Sequence, residues 1–140
     1  MTHRFTHLES AAVLRFEGRD VLAFLQSKLT CDTRRWRITG GGYGVAVDIQ
    51  GRVLFDGVFV VDGATVYAVV DGAIADAAIA HLDRYVITED VRMARVDGLT
   101  VFRVFGEAPA AALGLAADQD PPPQLVTWGQ PAVGRAFQVQ

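Results

Sequence analysis

Gly18-Arg19-Asp20-Val21-Leu22-Ala23-Phe24-Leu25-Gln26, running on to Thr30-Cys31-Asp32, is the segment from which the fold follows. Ahead of it, Ala12 to Glu17 is an alternating stretch, and within it Val21, Leu22, Leu25 and Leu29 recur at helical spacing. A strand therefore feeds an amphipathic helix. A second stretch, Asp48-Ile49-Gln50-Gly51-Arg52-Val53-Leu54-Phe55-Asp56-Gly57, reads as a strand, a tight glycine turn and a strand.

Working outward, hydrophobic periodicity predicts strands near 12–17, 43–48, 52–61, 65–70 and 90–96, and helices near 19–30 and 73–86. Asp62-Gly63 and Asp71-Gly72 punctuate them as turns. Ile74, Ala78, Leu82 and Tyr85 share one face of the second helix, a core stripe. This is an α+β layout, with helices on one face of a mainly antiparallel sheet. Val13 to Gly18 followed by a helix recurs as Val101 to Gly106 followed by Glu107 to Leu115, so a strand, a glycine and a helix are used twice. Residues 1–97 are then a first subdomain and 98–140 an incomplete second repeat, with a Pro-rich loop at 118–123 and short strands within 124–128 and 134–139.

A chain of 140 residues is long enough to bury a core without staples. Although 51% of it is hydrophobic, no apolar run approaches the ~20 residues of a bilayer span. Met1-Thr2-His3-Arg4-Phe5 has no secretory apolar region, so a cytoplasmic location is expected. One cysteine, Cys31, excludes an internal disulfide or a thiolate metal site within one chain, and no metal site is inferred from His3, His7 and His81. A net charge of -3 gives no global attraction to nucleic acid, and no DNA partner is expected.

In order and spacing, the two quoted segments resemble the YgfZ group of folate-binding proteins, whose superfamily includes the aminomethyltransferase, or T-protein, of the glycine cleavage system. The family pattern G-x-D-x-x-x-F-L-Q-x-x-x-T-x-D is met by Gly18, Asp20, Phe24, Leu25, Gln26, Thr30 and Asp32. Leu82-Asp83-Arg84-Tyr85-Val86, followed by Glu89-Asp90-Val91, is similar to the family's helix-to-strand passage. The resemblance covers roughly residues 10 to 115. It implies the first subdomain of a duplicated, T-protein-like folate-binding fold plus part of the second. The Lys-Gly-Cys-Tyr-x-Gly-Gln motif of the YgfZ group has no counterpart in this sequence.

The resemblance also implies site residues. Asp56 lies five residues beyond Gly51, where the aminomethyltransferase branch has an aspartate that sits by the folate amine and assists aminomethyl transfer; Arg52 stands where that branch has a second glycine. Apolar Leu54, Phe55, Val58 and Phe59 around Asp56 lead to the expectation of a partly desolvated carboxylate with a raised pKa. The competing reading is a solvated Asp56-Gly57 bulge on an edge strand. Tyr43 occupies the place of a tyrosine lining the folate pocket, or else simply packs at a strand edge. Asp71 stands where the branch has a ligand-binding asparagine, exchanging an amide donor for an acceptor.

Elsewhere, Gly40-Gly41-Gly42-Tyr43-Gly44 lacks the Lys-Ser/Thr of a phosphate loop and reads as a flexible turn. Arg34-Arg35-Trp36-Arg37 is either a solvated loop with a packed tryptophan or a patch for an acidic folate tail. Ser10, Ser27 and Cys31 show no activated nucleophile. The expected function is folate-linked support of iron-sulfur proteins or RNA modification, with tetrahydrofolate as cofactor and iron-sulfur client proteins as partners. A second copy or another subunit would complete the fold. The alternatives are an aminomethyltransferase-type fragment with catalytic Asp56, and an interaction module that has lost its ligand.

Overall fold

The computed structural model describes residues 4–105, 126–128 and 134–136. In chain order the elements are β1 (Arg4–His7), β2 (Ala11–Glu17), α1 (Val21–Lys28), α2 (Trp36–Thr39), β3 (Gly41–Val47), β4 (Val53–Asp62), β5 (Thr65–Asp71), α3 (Ala75–Asp83), β6 (Arg92–Val96), β7 (Phe102–Phe105), β8 (Val126–Trp128) and β9 (Gly134–Ala136). A five-stranded sheet has the order β3-β4-β5-β2-β6, with every neighbouring pair antiparallel. β1 pairs with β7 and β8 with β9, each pair antiparallel.

Strand alternation sends Ala12, Leu14 and Phe16 of β2, Val66, Ala68 and Val70 of β5, and Phe55 and Phe59 of β4 to one face. There they meet Val21, Phe24 and Leu25 of α1 and Ala75, Ala78 and Leu82 of α3 in a single core. Each large side chain buried there contributes roughly 1.5–3 kcal/mol. The α+β expectation, with helices on one face of an antiparallel sheet, is what the structure has.

The quoted first segment is a clamp. Gly18 sits at φ +128°, and a Cβ there would lie 2.0 Å from the Asp90 carbonyl oxygen, so only glycine fits. Asp90 N–H donates to Asp20 Oδ2 at 2.7 Å, and Arg19 N–H donates to Asp90 Oδ2 at 3.2 Å, tying the start of α1 to the entry of β6. Gln26 Oε1 accepts from the Thr33 amide at 2.6 Å, and the Thr33 hydroxyl, fully buried, donates to the Leu22 carbonyl at 2.7 Å. These bonds satisfy polar groups that the core would otherwise strand.

Several local expectations are corrected. The glycine run is not a flexible turn: Gly40, at φ +85°, ends α2 by donating its N–H to the Trp36 carbonyl, and Gly41 to Gly44 form the first half of β3. Gly44 is tight, since a Cβ there would come within 3.1 Å of Leu29 and Phe59. Arg35-Trp36-Arg37 enters a short helix rather than a loop, because Trp36 is buried and stacks on Phe59 with ring centroids 5.3 Å apart. β4 is an interior strand, and its irregularity lies at Leu54, which has no partner where the register steps from Ala46–Phe55 to Val47–Val53, and not at Asp56-Gly57. Tyr85 falls beyond α3 and is exposed, so the stripe ends at Leu82. β7 falls on the strand expected near 101–106; the helix expected at 107–115 and the loop at 118–123 lie outside the described residues. Among the described residues no helix is long and apolar enough to cross a membrane.

Candidate functional site

Because Ala46, Phe55 and Phe59 point into the core, Tyr43 and Asp56 stand on the opposite face of the sheet. The register pairs Tyr43 with Val58 and Val45 with Asp56, so Tyr43 and Asp56 are diagonal neighbours. The Tyr43 hydroxyl donates to Asp56 Oδ2 at 2.6 Å. That bond, followed by partial burial and the Asp56 charge, pushes the phenol above its ordinary value of 10.0. Half-buried Val45, Val58 and Val69 belong to the same face.

Asp56 is exposed, which corrects the expectation of a desolvated carboxylate. Its aromatic neighbours in sequence, Phe55 and Phe59, lie on the other face and cannot enclose it. Asp71 ends β5 on the same face as Asp56, two residues beyond Val69, where the paired register with β4 ends at Val58. Yet Asp71 Oδ1 accepts from the Ala73 amide at 2.8 Å, holding the turn into α3. Among the described residues it makes no hydrogen bond to Tyr43 or Asp56. The structure thus joins two of the three candidates directly and leaves the third on the same face with one oxygen engaged in its own turn.

Chemically, this face offers an aromatic ring, an apolar floor and a carboxylate whose Oδ1 has no hydrogen-bond partner among the described residues. A flat heterocycle with N–H donors would find both stacking surface and acceptor there.

The other candidates are placed elsewhere. Arg34 forks onto Asp32 at 2.9 and 2.8 Å, holding that carboxyl down to about 2, while buried Trp36 offers no face for stacking on a ligand. Burial pushes the Cys31 thiol up, away from the reactive thiolate. Among the described residues no cluster of metal-ligating side chains occurs. Sequence reasoning missed a cleft of about 480 Å³ where Arg19 of the turn before α1, Arg37 of α2 and Arg92 of β6 gather. No linear pattern announces it, and Arg19 and Arg92 already face Asp20 and Asp90 at 3.9 and 3.1 Å.

No family model and no curated protein matches the sequence. Among solved structures, 23 chains match. The crystal structure of glycine cleavage system aminomethyltransferase T from Bartonella henselae aligns over 91% of this chain with a TM-score of 0.75 at 16% sequence identity. The fold is aminomethyltransferase-like. The chain spans 36% of that protein's length, a little over a third. At this identity the likeness is one of backbone path.

Proposed function

We propose that this chain binds a reduced folate, tetrahydrofolate, on the sheet face that carries Tyr43 and Asp56, as a YgfZ-type protein. The observation that carries the reading is the 2.6 Å Tyr43–Asp56 hydrogen bond on an exposed face of an aminomethyltransferase-like fold. In this reading the Tyr43 ring stacks on the pterin, Asp56 accepts from its N–H groups, and Asp71 lends its remaining oxygen at the edge. The protein acts in the cytoplasm, supporting iron-sulfur protein assembly or RNA modification, and is non-catalytic alone. A second copy or another subunit supplies the remainder of the pocket.

A second reading is one-carbon transfer with Asp56 as the catalytic group, favoured by the exposure of Asp56 on the same face as Tyr43. Folate-dependent release of ammonia and methylene-tetrahydrofolate from an aminomethyl carrier separates it from binding alone.

Calorimetry with tetrahydrofolate tests the proposal, with Asp56→Asn and Tyr43→Phe alongside. Binding in the micromolar range, weakened about tenfold by either substitution, is expected. A folded protein that binds no folate, at concentrations where sedimentation shows its assembled form, would reduce the likeness to one of fold and favour an interaction module.

A further inference from the structure

On the helix side of the sheet, away from Tyr43 and Asp56, a groove of about 410 Å³ opens between α1, α3 and the turn joining β3 to β4. Its lining includes Lys28, Ile49, Leu54, His81, Arg84 and Tyr85. Lys28 Nζ stands 4.2 Å from the centroid of the Tyr85 ring, which holds the ammonium in place. Arg84 Nη2 lies 3.2 Å from His81 Nδ1. A guanidinium only donates, so His81 Nδ1 accepts and the ring proton sits on Nε2. Burial, then the charges of Arg84 and Lys28, hold this imidazole below its ordinary range, which keeps it neutral and able to accept.

The charges in the groove are unbalanced. Among the described residues, neither Lys28 nor Arg84 has a carboxylate within ion-pair distance. The acid on the wall, Asp48, is bound by Arg52 at 2.7 Å and by the amides of Gln50 and Arg52. Glu89, whose carboxyl feels Lys28, accepts from the amides of Ile87 and Thr88. Beside these two cations stand apolar side chains left in solvent: Ile49 is 95% exposed, Tyr85 42% and Leu54 37%. A second copy docked groove to groove would set Lys28 and Arg84 against themselves, a like-charge contact that costs affinity.

We propose that this groove binds an anionic small molecule with a flat apolar body, an aromatic carboxylate or aromatic phosphate ester. Its charged group lies on Lys28 and Arg84 and its ring against Leu54, Ile49 and Tyr85. Charge-assisted bonds from two cations orient the anion, and the apolar wall supplies the affinity that a bare ion lacks. His81 is a positioning residue that fixes the Arg84 fork.

The test is an amide NMR titration of the full chain with 2-naphthoate, 2-naphthyl phosphate and neutral 2-naphthamide. The anions are expected to shift the amides of Lys28, Ile49, His81 and Arg84, and the amide compound to bind about tenfold more weakly or worse. Which anion binds more tightly identifies the headgroup. Arg84→Gln, and Lys28→Gln with it, should weaken the anions about tenfold while the rest of the spectrum stays native. Equal binding of all three compounds, shifts confined to other surfaces, or no shift at millimolar anion would overturn the proposal. None of these results bears on Tyr43 and Asp56, which lie on the other face.

Discussion

The clamp around α1 and the face carrying Tyr43 and Asp56 treat polar side chains in opposite ways. In the clamp, Asp20, Gln26 and Thr33 hold backbone amides or carbonyls across loops, and Thr33 is fully buried. On the sheet face, Tyr43 and Asp56 bond to each other and stand in solvent. The residues of the Gly18-to-Asp32 pattern therefore build the fold, whereas unused hydrogen-bonding capacity lies on the β3–β4 strands, at Asp56. A motif can be diagnostic of a fold while none of its side chains reaches a ligand.

The clamp breaks most easily at Gly18. Gly18→Ala places a Cβ against the Asp90 carbonyl and should cost roughly 3 kcal/mol or abolish folding, read as a lowered urea midpoint. Gln26→Ala leaves the buried Thr33 amide without its acceptor and should cost about 1–3 kcal/mol in the same assay. If either variant unfolds at the wild-type midpoint, the clamp does not hold the fold.

The sheet face should respond the other way. Asp56→Asn is expected to leave the urea midpoint within about 0.5 kcal/mol of wild type, because the residue is exposed. It should also lower the Tyr43 phenol toward its ordinary 10.0, since the bond to Asp56 is the main cause of its rise. Ultraviolet titration of phenolate formation measures this, and an unchanged curve would break the pair.

The smallest effect belongs to the turn between β3 and β4. Asp48 is held below its ordinary 3.8, chiefly by the Arg52 amide. It binds a proton more weakly when folded than when unfolded, so its contribution is complete above the unfolded value and is lost as pH falls through the folded one. Asp48→Asn should lower stability at neutral pH and flatten its decline below about pH 4, measured by urea midpoints across that range.

Where side-chain period and burial coincide, the fold was legible. The alternation leading into Glu17 and the helical spacing of Val21, Leu25 and Leu29 correspond to β2 and α1 because each pattern matches the face it buries. β1 was not: Arg4–His7 is polar and short, and it is a strand only because β7 lies alongside it. Of the candidate site, Tyr43 and Asp56 were named through resemblance, but the desolvation argued for Asp56 failed because the aromatic residues flanking it project from alternate positions of the strand. The Lys28–Tyr85 contact had no sequence signal, as α1 and the residues that follow α3 come together only in the folded chain, whereas His81 and Arg84 are three residues apart and their contact is local.

By itself the sequence determined β2, α1 and the α+β class, since side-chain periodicity acts within a few residues, whereas the need for glycine at Gly18 comes from the distant Asp90 carbonyl. Tertiary structure decided which side of the sheet meets solvent, that Tyr43 donates to Asp56 and that Asp71 turns to its own loop. Those outcomes depend on strand register and on what packs behind each strand, and hydrogen bonds between residues distant in sequence form only once both are set.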